Sequence, residues 1–252
     1  MPEIVLGGLA TYGQLAGILM LDSTIPRIPG DPGHAGTFPF PVRYAILHDY
    51  PFQELVDGSR KYLHLIISAV KKLEDEGVSF IAADCGLFSV FQPDIASSLK
   101  IPFLGSSLSL IPLISGFLPK RDKIGIITGD TRLLKAHHLK GAGADEVERL
   151  LICGMEKSPE FQKVVLNRGN TLDVDQMRAG VVEAAEGLLK FGKPLGAVIL
   201  ECSNLASFRK DVQKRLRAPV FDIVSLIEFF MQGYRLRDFE YPYLKKPMGG
   251  SF

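Results

Sequence analysis

Val78-Ser79-Phe80-Ile81-Ala82-Ala83-Asp84-Cys85-Gly86-Leu87-Phe88-Ser89 and Gly196-Ala197-Val198-Ile199-Leu200-Glu201-Cys202-Ser203-Asn204-Leu205-Ala206-Ser207 are two versions of one pattern. Each is a short apolar run, an acidic residue, a cysteine, and then small and polar residues. A continuous apolar run of strand length reads as a buried parallel strand, and the small residues after it as a strand-to-helix turn. The likeness extends outward. Pro102 follows Cys85, and Pro219 follows Cys202, at the same spacing of 17 residues, and each proline introduces another short strand. One offset of 117 residues therefore aligns a whole strand–helix–strand unit, which marks an internal duplication. Ligands of open parallel sheets bind beyond the carboxyl ends of the strands, so both cysteines stand where chemistry is done.

Composition narrows the class. The 252 residues are 46% hydrophobic and 23% charged, an ordinary globular balance with room for two lobes around a sizeable core. A formal net charge of +1, with no Lys/Arg cluster, lacks the electrostatic footprint of a nucleic-acid binder. Met1-Pro2-Glu3-Ile4-Val5-Leu6 has neither the basic start nor the long apolar core of a signal peptide. The apolar stretch 103–118 carries prolines and a glycine and falls short of the ~20 residues that span a bilayer. A cytoplasmic protein without a membrane partner is expected. The three cysteines, Cys85, Cys153 and Cys202, form no C-x-x-C pair, and no histidine stands at zinc-site spacing. Neither a disulfide framework nor a structural metal is expected.

Taken in order, Ile4-Val5-Leu6 reads as a first strand and 7–13 as the glycine-rich turn after it, with Gly8 and Tyr12 as candidate substrate contacts. The turn has the spacing of neither G-x-G-x-x-G nor the P-loop, so it does not specify a nucleotide. Residues 22–41 are dense in proline and glycine, which excludes helix and interior strand. Ile25, Ile28, Phe38 and Phe40 give this segment apolar anchors. An ordered loop over a site is expected, with Arg27 as a carboxylate fork, or else as an ion-pair partner of Asp22 or Asp31. A single helix is expected over 52–76, another over 88–99, and a buried helix at a lobe interface over 108–118. Lys123-Ile124-Gly125-Ile126-Ile127 opens the second half, Thr131 suits the N-cap of a helix running to Leu139, and 173–189 is amphipathic. The predicted division is a first lobe over 1–118 and a second over 119–221. A C-terminal helix and tail over 222–252 would pack back on the first lobe.

A lone buried cysteine is ordinarily inert, and Cys153 reads that way. Cys85 and Cys202 differ, because chance does not place two cysteines at equivalent positions of a duplicated unit. Lobes related by a pseudo-dyad set the two thiols opposite each other across a cleft. A thiolate at a helix N-terminus, with a lowered pKa, would act as base while the opposing thiol donates a proton. Asp84 and Glu201 precede the cysteines, and strand alternation points them away from the thiols. His34 reads as an exposed loop residue, and His48, His64, His137 and His138 as structural.

These motifs, with Ile124-Gly125-Ile126-Ile127-Thr128, Thr131 and Gly7-Gly8, give the chain a resemblance to the aspartate/glutamate racemase superfamily. The resemblance implies an α/β fold of two pseudosymmetric Rossmann-like lobes, each a mainly parallel sheet flanked by helices, with the active site between them. It further implies cofactor-independent proton transfer by Cys85 and Cys202. Thr128, Thr131, Ser203, Asn204 and Gly86 would contact a small carboxylate substrate. Amino-acid racemases of the superfamily commonly have Cys-Asn-Thr and Cys-Thr-His at the two sites; here they are Cys85-Gly86-Leu87 and Cys202-Ser203-Asn204. The long 25–31 loop looks more like the branch that includes dimethylsulfoniopropionate lyase. The expected function is an amino-acid racemase of the aspartate/glutamate type. A lyase using the same α-proton abstraction, and a non-catalytic two-lobed binding protein, are the alternatives. No cofactor is expected, and a homodimer is compatible with the pattern.

Overall fold

Ala16-Gly17-Ile18-Leu19-Met20-Leu21 is the first strand and the centre of the first sheet, because its apolar run pairs on both sides. The computed structural model describes residues 7–235. In chain order the elements are β1 (Ala16–Leu21), β2 (Val42–Leu47), α1 (Phe52–Asp57), α2 (Leu63–Asp75), β3 (Phe80–Ala83), α3 (Gln92–Ser98), β4 (Phe103–Leu104) and α4 (Ile111–Phe117). They continue with β5 (Lys123–Thr128), α5 (Ala136–Gly141), β6 (Leu150–Gly154), α6 (Pro159–Phe161), α7 (Val174–Leu189), β7 (Leu195–Leu200), α8 (Arg209–Leu216), β8 (Val220–Phe221) and α9 (Ile223–Tyr234). Two parallel four-stranded sheets result, ordered β2-β1-β3-β4 and β6-β5-β7-β8. The second order repeats the first, as the 117-residue offset requires. Both cysteines follow equivalent strands, β3 and β7. Among the described residues no helix is long and apolar enough to cross a membrane.

Several sequence expectations change. The strand expected at Ile4-Val5-Leu6 lies outside the described residues. The glycine-rich stretch precedes β1, which begins at Ala16. Tyr12 is exposed there, its hydroxyl accepting from the Leu9 N–H at 2.8 Å. The helix expected over 52–76 is two helices. Gly58 takes φ 65° at the C-cap of α1, a left-handed conformation that ends a helix cheaply only at glycine. The edge strand β2, parallel to β1, follows the proline-rich loop and was not expected; it is half-buried and so lacks the apolar run that identifies β3 and β7. Thr131 caps no helix: α5 starts at Ala136, where the His138 ring accepts the Lys135 N–H at 2.9 Å. The 108–118 segment is a turn plus α4, with Leu108 and Ile111 buried but Leu113 and Phe117 exposed.

The sheets are locked together by polar ties over a shared core. Ile124, Ile126, Ala197 and Ile199 of the second sheet pack in the same apolar cluster as the first sheet's interior. Ser107 donates to the Leu200 carbonyl at 2.8 Å, and the His138 and His137 rings donate to the carbonyls of Leu55 and Val56 at 2.8 and 2.9 Å. Burial holds His138 neutral, its pKa lowered to about 4, which suits a ring fixed between one N–H and one carbonyl. At the far end of the chain, Phe230 and Tyr234 of α9 pack on Phe80, and the Tyr234 hydroxyl donates to the Ser79 carbonyl at 3.0 Å. The tail beyond α9 lies outside the described residues.

The helix α9 begins at Asp222, whose Oδ1 accepts from the N–H and hydroxyl of Ser225 at 2.8 and 2.9 Å. An Asp222→Ala variant is expected to lose about 1–2 kcal/mol of unfolding free energy in urea titration. A loss below a few tenths would show that this cap does not hold the helix.

Candidate functional site

The carboxyl ends of β3 and β7 face one cleft of about 700 Å³, and Cys85 and Cys202 both line it. Each thiol is half-buried and free. The two turns are built alike. The N–H of Asp84 donates to the Leu19 carbonyl and that of Glu201 to the Ile127 carbonyl, both at 2.9 Å, so each chain stays in its ladder up to the residue before the cysteine. Beyond the cysteines the chain enters tight 3₁₀ turns, Gly86–Phe91 and Ser203–Phe208, which lead into α3 and α8. The N–H two residues on, at Leu87 and Asn204, is directed at the sulfur of Cys85 and Cys202 respectively. The Cys202 thiol also donates to Asn204 Oδ1 at 3.7 Å.

The residues before the cysteines face inward, against the alternation argument. Asp84 and Glu201 both line the cleft. At the end of a strand there is no further pleat to join, and a carboxylate instead curls over the sheet edge to the N–H groups of the neighbouring strand. Asp84 Oδ1 accepts from Leu21 at 3.0 Å, and Glu201 is held in the equivalent manner by the N–H of Gly129 and by the Thr128 hydroxyl at 2.7 Å. Their surroundings then diverge. Arg27 reaches Asp84 and Asp31, each at 3.0 Å, so Asp84 has a counter-charge. Burial nevertheless pushes Asp84 up to about 6, with Arg27 opposing. Burial also raises Glu201, and the opposing groups there are neutral donors.

The loop over 22–41 is ordered and spans the lobes. Ile25 and Ile28 pack against the second core, while Phe38 and Phe40 are buried in the first with ring centroids 5.2 Å apart. Asp31, buried, ties Arg27 to Asn204, whose Nδ2 donates to Asp31 Oδ2 at 3.0 Å. Arg27 thus lines the cleft, and of the two roles weighed for it in the sequence the ion pair with Asp31 is the one seen.

The remaining expected contacts divide. Thr128, Ser203 and Asn204 line the cleft, although the Ser203 hydroxyl is committed to the Asp84 carbonyl and the Thr128 hydroxyl to Glu201. Gly86 is packed behind the lining, where a Cβ would stand 2.7 Å from Glu201 Cδ, so glycine is what lets the carboxylate of the second lobe seat against the first. Thr131 is exposed and donates to Glu156 at 2.8 Å, while Gly8 and Tyr12 lie in the exposed segment before β1; none of the three lines the cleft. Cleft residues the sequence reading passed over include Phe52 at the start of α1, Phe161 at the end of α6, and Glu156 and Arg168 from the loops beside α6, none of which carries a motif. Asp84 and Glu201 did carry a signal, since acidic residues precede both cysteines. No histidine is among the cleft residues, and among the described residues no cluster of His, Cys, Asp or Glu side chains is arranged to hold a metal ion. Cys153 packs on the second core, away from the cleft.

The thiols are not the low-pKa groups expected at a helix N-terminus. Burial raises Cys85 well above the ordinary thiol value, with the charges of Glu201 and Asp84 adding to it, and burial followed by Glu201 raises Cys202 likewise. The turns are 3₁₀ and short, so the macrodipole that would favour a thiolate is weak against desolvation and two nearby carboxylates. Both sulfurs are therefore protonated near neutrality in the empty cleft. Iodoacetamide should alkylate both slowly at pH 7, with the rate climbing only above the ordinary thiol range near pH ~8.5. Site-resolved mass spectrometry checks this, and fast alkylation of either cysteine at pH 7 would contradict it.

Comparison with known proteins agrees with this architecture. The family model of Asp/Glu/hydantoin racemase matches residues 49–227. A dimethylsulfoniopropionate lyase of Durusdinium sp. clade D is 28% identical over 225 residues, 86% of this chain and 74% of that protein. Dimethylsulfoniopropionate lyase 7 of Emiliania huxleyi is 29% identical over 225 residues, 85% of this chain and 65% of that protein. Among solved structures, the aspartate racemase of Picrophilus torridus superposes with a TM-score of 0.54 over 89% of this chain and 96% of that one, at 16% identity, a likeness of fold. With its two equivalent cysteine turns on two parallel sheets, the chain belongs to the Asp/Glu/hydantoin racemase family.

Proposed function

We propose that this protein is a lyase that abstracts the α-proton of a small carboxylate with one of its paired thiols and expels a sulfonium group from the β-carbon. The observation that carries the reading is the convergence of Cys85 and Cys202, from equivalent turns of two lobes, on one cleft. With dimethylsulfoniopropionate, the sulfur base takes the α-proton. The C–H electron pair becomes the new C=C bond, and the Cβ–S pair leaves on sulfur, giving acrylate and dimethyl sulfide. No oxidant or co-reactant is needed. Two features support this outcome over other uses of the same thiols. Dimethylsulfoniopropionate lyases are among the relatives in sequence, and the wall carries both arginines (Arg27, Arg132 and Arg168) and carboxylates without an arginine partner (Glu201 and Glu156), a lining that suits a substrate with an anionic and a cationic end. The N–H groups of Leu87 and Asn204 would meet negative charge developing near each sulfur.

A racemase acting on an acidic amino acid is the second reading. The near-equivalence of the two cysteine turns favours it, since racemisation needs an acid and a base of the same kind on opposite faces of one carbon.

Purified protein given dimethylsulfoniopropionate should release dimethyl sulfide into the headspace and acrylate into solution in equal amounts. Replacing the proton-abstracting cysteine, in Cys85→Ala or Cys202→Ala, should slow this about 10²–10⁴-fold. Aspartate and glutamate incubated in D₂O provide the other arm. Deuterium at the α-carbon without elimination would establish racemisation, and activity undiminished in both variants would remove the thiols from the mechanism.

A further inference from the structure

Two carboxylates that line the cleft have an arginine beside them, Asp84 with Arg27 at 3.0 Å and Asp130 with Arg132 at 2.6 Å. Asp22 is exposed and bonds the His48 ring at 2.7 Å. Glu156, half-exposed at the rim, accepts from Thr131. Glu201 stands apart. It is 4% exposed, lines the cleft, and among the described residues has no ion-pair partner; the Thr128 hydroxyl and the Gly129 N–H are its donors. Burial raises its pKa, and among the described residues no cation offsets that burial, so a cation arriving with a ligand would favour the carboxylate form.

Its position is also particular. Glu201 belongs to the second lobe, yet its carboxylate seats against Gly86, the residue after the first lobe's cysteine. It therefore bridges the two cysteine-bearing turns, in the cleft that both thiols line.

We propose that Glu201 is the specificity-determining counter-ion for the substrate's own cation, a sulfonium or substituted ammonium group one or two carbons from the carboxylate. This rests on the reading of the cleft as a small-carboxylate site and adds to it the residue that selects the charge. A cation seated on Glu201 also neutralises the charge that, after burial, most opposes ionisation of both thiols. Substrate binding would thereby favour formation of the base, and neutral look-alikes would leave the thiols protonated.

The test uses two unreactive ligands of one shape, 3-(trimethylammonio)propanoate and its uncharged-head analogue 4,4-dimethylpentanoate, with affinities measured by calorimetry on the intact protein. Wild type should bind the cationic ligand at least about tenfold more tightly. Glu201→Gln should bring the ratio close to one while keeping the affinity for the neutral ligand, which also shows that the variant is folded. Equal affinities in wild type, or a tenfold preference surviving in Glu201→Gln, would overturn the inference and leave the thiol chemistry standing. Failure of wild type to bind either ligand would overturn the carboxylate reading and this inference together.

Discussion

A carboxylate of one lobe pressed against a glycine of the other sets how closely the two cysteine turns approach. Glu201 fills the space that any side chain at Gly86 would need, and the Ser203 hydroxyl closes the same seam on the Asp84 carbonyl. These contacts join the carboxyl ends of β3 and β7, which carry the thiols. Because the lobes also share an apolar core, the seam cannot open without exposing Ile124, Ile126, Ala197 and Ile199. The cleft is thus a consequence of how two duplicated sheets are buried against each other, and its chemistry is fixed by what remains at the joint.

What remains includes two buried carboxyl groups beside the thiols, and this reverses the usual way of activating cysteine. Helix dipoles and neighbouring cations normally lower a thiol's pKa; here burial and carboxylates raise both. A base that is hard to form is a strong base once formed, which suits a weakly acidic proton next to a carboxylate. The proline-rich loop contributes to the same balance. Its Arg27 is shared between Asp84 and Asp31, which leaves Glu201 as a buried carboxyl group without an ion-pair partner among the described residues. Asn204 extends that network from the loop to Cys202.

The duplicated strands were legible because a parallel strand covered on both faces is a continuous apolar run, and the 117-residue offset needed no structure to be seen. The half-buried edge strand β2 and the strand Ala16–Leu21 were not, since the first lacks a continuous apolar run and the second follows a glycine-rich stretch that reads as a turn. Periodicity carried straight through Gly58, where backbone conformation and not hydrophobic pattern decides. At the site, the cysteines were found from their equivalence, but Asp84 and Glu201 were turned the wrong way. Alternation holds inside a sheet, and these residues sit where the sheet ends and side chains reach for free N–H groups. Thr131 failed as a contact because Glu156, distant in sequence, claims its hydroxyl. Such competition between polar partners is visible only once the chain is folded.

The two equivalent turns should bring their thiols to opposite faces of a single carbon. In a crystal structure with 3-(trimethylammonio)propanoate bound, both sulfur atoms should lie within about 3–4 Å of the same ligand carbon, on opposite faces. A ligand seated with either sulfur well beyond contact, or with both on one face, would contradict this arrangement.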